Sequence, residues 1–152
     1  MSGAQPKAAK IAGITSVIAE VNKNAIEKRL KQGWIDEKIS DINTLISRIN
    51  QLKKTKDVIS IGYHGNIVDV WKAFEKKDVF VDIASDQTSL HNPWSGGYYP
   101  CSLSFKEANK MITENPILFQ KHVRKSLIKQ VDSINYHTKK STFFFDYGNA
   151  FL

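Results

Sequence analysis

Short apolar runs alternate along the chain with segments whose apolar residues follow a helical period. The runs at residues 15–21, 57–62, 79–84 and 141–146 are rich in Val, Ile and Phe, and each predicts a buried strand. Between them, apolar residues recur at three- and four-residue steps, which is typical of amphipathic helices. The clearest case is the series Ile42, Leu45, Ile46, Ile49 and Leu52. The alternation predicts an α/β domain with a mostly parallel sheet flanked by helices.

Cap and breaker residues set the bounds of the predicted helices. Asn24 is an N-cap candidate, Ser104 and Glu107 have the spacing of a capping box, and Pro116 separates the last two helices. The helices predicted in this way span residues 6–12, 24–32, 41–56, 66–77, 104–115 and 118–136.

Polar segments follow the predicted strands, at the carboxyl ends where parallel sheets bind ligands. These segments lie around Glu20 and at residues 63–66, 86–100 and 147–149. The segment 86–100 (DQTSLHNPWSGGYYP) holds polar and aromatic side chains at nearly every position and fits neither a helix nor a strand. We therefore predict a ligand-binding loop there, although an ordinary surface loop has similar composition. Asn66 has two interpretations, a ligand contact or the N-cap of the next helix.

The composition is that of a globular protein with a basic balance. A chain of 152 residues suits one domain, 1–152, and its hydrophobic content is 41%. The net charge of +7 permits phosphate binding, but lysines on solvated helix faces explain it equally well. No apolar run is long enough to cross a membrane, so we expect no membrane partner. Cys101 is the single cysteine, which excludes an internal disulfide and favours a reducing, cytoplasmic location.

Gly3 and Glu20 are two features of the sequence that indicate a nucleotide-binding site. Gly3 precedes a predicted helix, as in a phosphate-binding turn, and Glu20 follows near the offset of about 20 residues at which dinucleotide-binding folds carry a ribose-binding carboxylate. A helix cap at Gly3 and a surface carboxylate at Glu20 are the alternative.

The four histidines are scattered without metal-ligand spacing, so we predict no metal site. We interpret Cys101 as a packed residue and predict no catalytic residue in the chain.

Five segments, in this order and spacing, resemble the central NAD-binding domain of the urocanase (urocanate hydratase) family. They are MSGAQPKAA, IAEV, GYHGNIVDVW, DQTSLHNPWSGGYYP and FDYGNAF. The resemblance runs over nearly the whole chain and implies a Rossmann-like fold. Met1 coincides with the methionine inside the family's glycine turn, so we expect a fragment that lacks the strand normally preceding that turn.

The resemblance implies NAD as the cofactor and assigns the residues that contact it. They are Met1, Ser2, Gly3, Glu20, Asn66, Ile67, Gln87, Thr88, Ser89, Leu90, His91, Tyr98, Tyr99 and Tyr147. In this family NAD+ acts as an electrophile toward urocanate, which is then hydrated to imidazolonepropionate. The family's catalytic cysteine lies in a later segment and does not correspond to Cys101. The resemblance thus implies a lyase fragment that is inactive alone, with urocanate as a partner and a homodimer as the form of the complete enzyme.

Two other functions stay open at this point. The first is a non-enzymatic module that binds NAD or another nucleotide and has kept the fold. The second is a basic nucleic-acid-binding domain, suggested by the net charge of +7. The lysines are spread along the predicted helices, so we expect no nucleic-acid partner.

Overall fold

The structure is a computed structural model that describes residues 3–86 and 92–146. The helices are α1 Ala4–Ile11, α2 Lys23–Lys31, α3 Ile42–Thr55, α4 Ile67–Lys76, α5 Phe105–Glu114 and α6 Pro116–Lys139, and a 3-10 turn spans Pro93–Ser95. The strands are β1 Ser16–Glu20, β2 Glu37–Ile39, β3 Ser60–His64, β4 Ile83–Asp86 and β5 Phe143–Asp146. The chain divides into two compact units, Met1–Val70 and Trp71–Leu152.

The first unit is built on a three-stranded parallel sheet in the order β1-β3-β2. The central strand β3 is buried along most of its length, whereas β1 is half-buried throughout. A central parallel strand must be apolar on both faces because helices cover both sides of the sheet. The core of this unit contains apolar side chains that are almost completely shielded from solvent, among them Ile26, Ile35, Leu45, Ile61 and Val68.

The bounds of α2 correct one predicted cap. Asn22, and not Asn24, is the N-cap, and its side-chain oxygen accepts hydrogen bonds from the amides of Asn24 and Ala25. The helix therefore begins directly after β1, with almost no connecting loop. Asp41, the first residue of the helix predicted over 41–56, caps α3 by accepting a hydrogen bond from the amide of Thr44.

Two strand predictions need correction. The run 79–84 predicted a strand, but β4 covers Ile83–Asp86, because Val79 is still bonded to the end of α4 through its amide and the carbonyl of Phe74. Val79 is buried without belonging to a sheet. The short strand β2 was not predicted, since its residues Glu37–Ile39 include two charges and no apolar run.

The second unit combines a two-stranded parallel sheet, β4-β5, with the helices α5 and α6. Ser104 and Glu107 form the predicted capping box of α5. Asn115 caps α6, which begins at Pro116, two residues before its predicted start. One hydrophobic cluster of this unit contains Tyr98, Ala108, Phe119 and Val123.

Both sheets are parallel and both are accompanied by helices, so the predicted α/β architecture is confirmed. Residues 3–86 and 92–146 include no helix that combines the length and the apolar character of a membrane span.

Candidate functional site

The carboxyl ends of β1 and β3 meet side by side and form the first part of the site. Glu20 and His64, the last residues of the two strands, are register partners. The Glu20 carboxylate accepts a hydrogen bond of 2.8 Å from the amide of Asn22, and its carbonyl accepts one of 3.1 Å from the amide of Gly65. The Nε2 atom of His64 lies 3.3 Å from the carbonyl oxygen of Val21. A carbonyl can only accept, so this bond requires the proton on Nε2. The Glu20 carboxylate is thus bonded to the amide of Asn22, and the Glu20 backbone is bonded to the turn after β3.

Gly65 is required where it stands. A Cβ atom at this position would overlap the ring of Tyr63. The ring is buried, and this burial raises the pKa of the Tyr63 phenol. A side chain at position 65 would therefore displace either the core tyrosine or the turn that bonds Glu20.

Asn66 is the cap residue of α4. Its side-chain oxygen accepts a hydrogen bond of 2.9 Å from the amide of Val68, and its carbonyl accepts from the amides of Asp69 and Val70. Of the two interpretations that the sequence left open, the structure shows the cap, and a cofactor contact by Asn66 or by the half-buried Ile67 stays a prediction. The N-terminus of α4 nevertheless follows the strand end beside Glu20, and a helix N-terminus favours negative charge.

Gly3 lies at the opposite end of the same sheet from Glu20. A Cβ atom at Gly3 would overlap the ring of Trp34, which precedes β2. The helix that Gly3 opens is bonded to the first residue of β3, because the Ser60 hydroxyl donates a hydrogen bond of 2.9 Å to the carbonyl of Pro6. The structure therefore brings Glu20 together with the turn before α4 and does not bring Gly3 to them.

Tyr98 is a buried residue whose hydroxyl is engaged by α6. Its exposed fraction is 2%, and its hydroxyl lies 2.8 Å from Ser126 Oγ and 2.8 Å from Gln130 Oε1. The amide nitrogen of Gln130 donates a 2.5 Å hydrogen bond to Asp86 Oδ2 at the carboxyl end of β4. Tyr98 is thus held by the protein itself, and its predicted contact with a cofactor stays a prediction.

Tyr99 lies on the other side of the same turn and faces α5. Its hydroxyl donates a 2.9 Å hydrogen bond to Asn109 Oδ1, and its ring stacks on Phe105 with centroids 5.0 Å apart. The ring is half-buried. Tyr99 therefore presents part of its surface to solvent, as a side chain that stacks on a ligand must.

The remaining predicted contacts lie outside the described residues, and they are Met1, Ser2, Gln87, Thr88, Ser89, Leu90, His91 and Tyr147. In the sequence, residues 87–91 directly follow β4 and residue 147 directly follows β5. The last residues of these strands, Asp86 and Asp146, are register partners. Both segments thus follow the carboxyl ends of neighbouring parallel strands, where ligands bind in such sheets.

Sequence reasoning missed Ser126 and Gln130. Both lie in the buried stripe of α6, whose members are Phe119, Val123, Ser126, Gln130, Ser133, Ile134 and His137. Their sequence positions could have indicated this role, because a serine and a glutamine occupy apolar positions of the helix. Buried polar side chains need hydrogen-bond partners. Over residues 3–86 and 92–146, no cluster of three His, Cys, Asp or Glu side chains is arranged to hold a metal ion.

Comparisons with known proteins match the whole chain to one family. The model of the urocanase Rossmann-like domain matches residues 1–152. Urocanate hydratase from Homo sapiens is 48% identical, and the probable urocanate hydratases from Caenorhabditis elegans and Dictyostelium discoideum are 49% and 46% identical, each over 100% of this chain. The chain spans 23% of the length of these relatives.

Proposed function

This chain belongs to the urocanase family, over the length of its Rossmann-like domain, and from that premise we propose that it is the NAD-binding domain of a urocanate hydratase. The observation that carries the proposal is the position of Glu20. Its carboxylate is fixed at the carboxyl end of β1, beside the turn that opens α4. Parallel α/β sheets bind nucleotides at this end of their strands.

The residues at this end fit a dinucleotide. A carboxylate accepts hydrogen bonds from the two hydroxyls of a ribose, and the N-terminus of α4 favours the negative charge of a phosphate. In the second unit, taken by itself, Tyr99 is half-buried and stacks on Phe105, and its contact with NAD is what the family resemblance implies. Gly3 enters the proposal through the family resemblance alone, since it lies at the other end of the sheet.

In this proposal the cofactor supplies the chemistry, and the chain binds and orients the cofactor. NAD+ supplies an electrophilic nicotinamide ring for the hydration of urocanate to imidazolonepropionate. The chain's own residues bind and orient the dinucleotide: Glu20 through a ribose, and the segments after β4 and β5 through the contacts that the resemblance assigns. We assign no catalytic residue to the chain. The cytoplasmic location and the homodimer of the complete enzyme stay predictions.

The direct test of cofactor binding is a calorimetric titration of the chain with NAD+. We expect saturable binding with one NAD+ per chain, and weaker binding of AMP, which offers one ribose instead of two. A chain that is folded by circular dichroism and does not bind NAD+ at millimolar concentration would contradict the proposal.

The test of the enzyme assignment is a domain exchange. The matching region of human urocanate hydratase is replaced by this chain, and urocanate consumption is followed by its ultraviolet absorbance. We expect the exchanged enzyme to be active, and the same enzyme with Glu20→Ala to lose activity at low NAD+ concentration. Folded, NAD-binding but inactive chimeras would favour the non-enzymatic nucleotide-binding module.

A further inference from the structure

We propose that Gln130 is a positioning residue that joins the segment 92–101 to the carboxyl end of β4. Its side-chain amide reaches Asp86, the last residue of β4, with its nitrogen and Tyr98 with its oxygen. The family resemblance assigns Tyr98 and Tyr99 of this segment to NAD. The inference therefore rests on the proposed function.

The hydrogen bonds around Gln130 form one continuous chain, which we call the buried hydrogen-bond chain. Its members are Cys101, Ser126, Tyr98, Gln130 and Asp86. The amide of Cys101 donates to Ser126 Oγ over 2.9 Å, and the Ser126 hydroxyl meets the Tyr98 hydroxyl at 2.8 Å. The chain ends at the Asp86 carboxylate. It links the carboxyl end of β4, the turn before α5 and the middle of α6.

The direction of every bond in this chain is determined by its two ends. The backbone amide of Cys101 can only donate, and the Asp86 oxygen accepts from the side-chain amide nitrogen of Gln130. The amide nitrogen of Gln130 must face Asp86, so its oxygen faces Tyr98 and accepts the tyrosine's proton. The Tyr98 oxygen is then left to accept from Ser126. Hydrogen bonds aligned in one direction polarise and strengthen one another.

Burial makes the arrangement specific. The exposed fractions are 0% for Gln130, 1% for Ser126 and 5% for Asp86, so water cannot easily replace any of these bonds. A buried polar group that loses its partner is costly. Among natural side chains of this length, glutamine alone presents a neutral donor and a neutral acceptor at one end. Methionine has the same length and neither strong group.

The experiment compares Gln130→Met with Gln120→Met, a change of the same chemistry on the same helix. NAD+ affinity is measured by titration, and hydrogen–deuterium exchange is measured at the amides of residues 92–101. We expect Gln130→Met to weaken NAD+ binding at least tenfold and to speed exchange at these amides. We expect Gln120→Met to remain within twofold of the wild type in affinity and to leave the exchange unchanged.

The variant Tyr98→Phe tests the same chain from the other side of the amide. If Gln130 acts by holding Tyr98, the double variant that combines Gln130→Met with Tyr98→Phe binds NAD+ no more weakly than Gln130→Met alone. Additive losses would overturn the inference, as would a folded Gln130→Met chain with wild-type affinity and wild-type exchange.

The exchange measurement separates this inference from the proposed function. If the wild-type chain does not bind NAD+, the proposed function fails, and the exchange rates still decide whether Gln130 holds the segment. Unchanged exchange in Gln130→Met overturns the positioning role, and faster exchange confined to residues 92–101 supports it. A Gln130→Met chain that does not fold is replaced by Gln130→Glu, which keeps the acceptor for Tyr98 and loses the donor to Asp86.

Discussion

Glu20 is the residue on which the proposed cofactor site depends most directly. Its carboxylate is placed by one backbone amide of its own turn, and its carbonyl by the amide of Gly65. Both of these contacts come from the backbone. The carboxylate is therefore well suited to a fixed task such as binding a ribose.

Replacing Glu20 tests whether its carboxylate binds a ribose of NAD+. We expect Glu20→Ala to weaken NAD+ binding by about 1.5–3 kcal/mol, the cost of losing a hydrogen bond to a charged group. Titration calorimetry measures the affinity, and thermal melting measures the accompanying change in stability. The control is Glu27→Ala, which removes an exposed carboxylate paired with Lys38. Equal affinities for NAD+ in the wild type and Glu20→Ala would remove Glu20 from the site.

The close approach of Gly3 to the Trp34 ring predicts an effect of substitution on stability. An alanine side chain there would overlap the Trp34 ring, and overpacking costs roughly 1–3 kcal/mol. We expect Gly3→Ala to lower the free energy of unfolding by this amount, measured by urea denaturation. In a Trp34→Ala background the same change should have little effect, because the ring is gone. Equal losses in both backgrounds would show that Gly3 and Trp34 do not meet.

Local sequence patterns predicted the residues whose partners are close along the chain. The capping box of Ser104 and Glu107 joins residues three apart, and it was predicted from that spacing. Gln130 instead bonds Tyr98 across 32 residues and Asp86 across 44. No pattern within a window of one helix contains those partners, and the geometry of the fold alone brings them together.

At the scale of elements, the buried stripe of α6 is apolar at its start and mostly polar after it. Phe119 and Val123 lie in the first part, and Ser126, Gln130 and His137 lie in the second part together with the apolar Ile134. His137 packs on Trp71 with ring centroids 4.6 Å apart, and its Nε2 lies 3.4 Å from the carbonyl of Trp71. The end of α6 is thus attached to α4 through a titratable ring.

Burial lowers the pKa of His137 below its ordinary value of 6.5. The unfolded chain therefore binds a proton at a higher pH than the folded chain does. The stability that His137 contributes is complete above pH 6.5 and is lost as the pH falls through this value toward the folded pKa. We expect the melting temperature to fall between pH 7 and pH 5, and to fall less in His137→Gln. Identical slopes in the two proteins, or a His137 pKa above 6.5 by NMR, would contradict this prediction.

The sequence predicted helices better than strands. The helix α3 shows a long apolar period and a clear cap, and both were visible in the sequence. The strand β2 has three residues, too few for any period, and its pairing with β3 is what defines it. Val79 misled the prediction of β4 because it is buried against the end of a helix instead of in a sheet.

At the scale of the whole molecule, the net charge of +7 is the feature most open to misinterpretation. Several of the basic side chains are already paired with carboxylates in both units, for example Lys10 with Asp36 and Lys140 with Asp78. Paired cations release fewer counterions from a nucleic acid. We therefore expect the charge to reflect lysines on solvated helix faces, and a nucleic-acid site stays the alternative.

The salt dependence of binding separates these two explanations. We expect a fluorescent duplex DNA to show weak binding, or none, at about 0.15 M salt, where surface charges are screened within about 8 Å. NAD+ affinity should change little over the same range of salt. Tight DNA binding that falls steeply with salt would restore the nucleic-acid interpretation.

Physical patterns and family resemblance contributed differently to the prediction of the whole molecule. Periodicity and strand order predicted a parallel α/β fold, and this was confirmed. The family came from five ordered segments, among them the one around Tyr98 and Tyr99. The division into two compact units was not predicted. It depends on contacts between residues that are far apart in the sequence, and no short sequence pattern indicates such contacts.

The order β1-β3-β2 has a consequence for handling the protein in solution. Among the described residues, β1 pairs with β3 on one side, so it is an outer strand of its sheet. Its residues Ser16–Glu20 include neither proline nor lysine, two of the residues with which natural proteins block such strands. We expect that a second molecule can add its own strand there, and that self-association then increases with protein concentration. Cofactor affinities measured on dilute samples will then exceed those measured in concentrated ones, if the added strand covers the neighbourhood of Glu20.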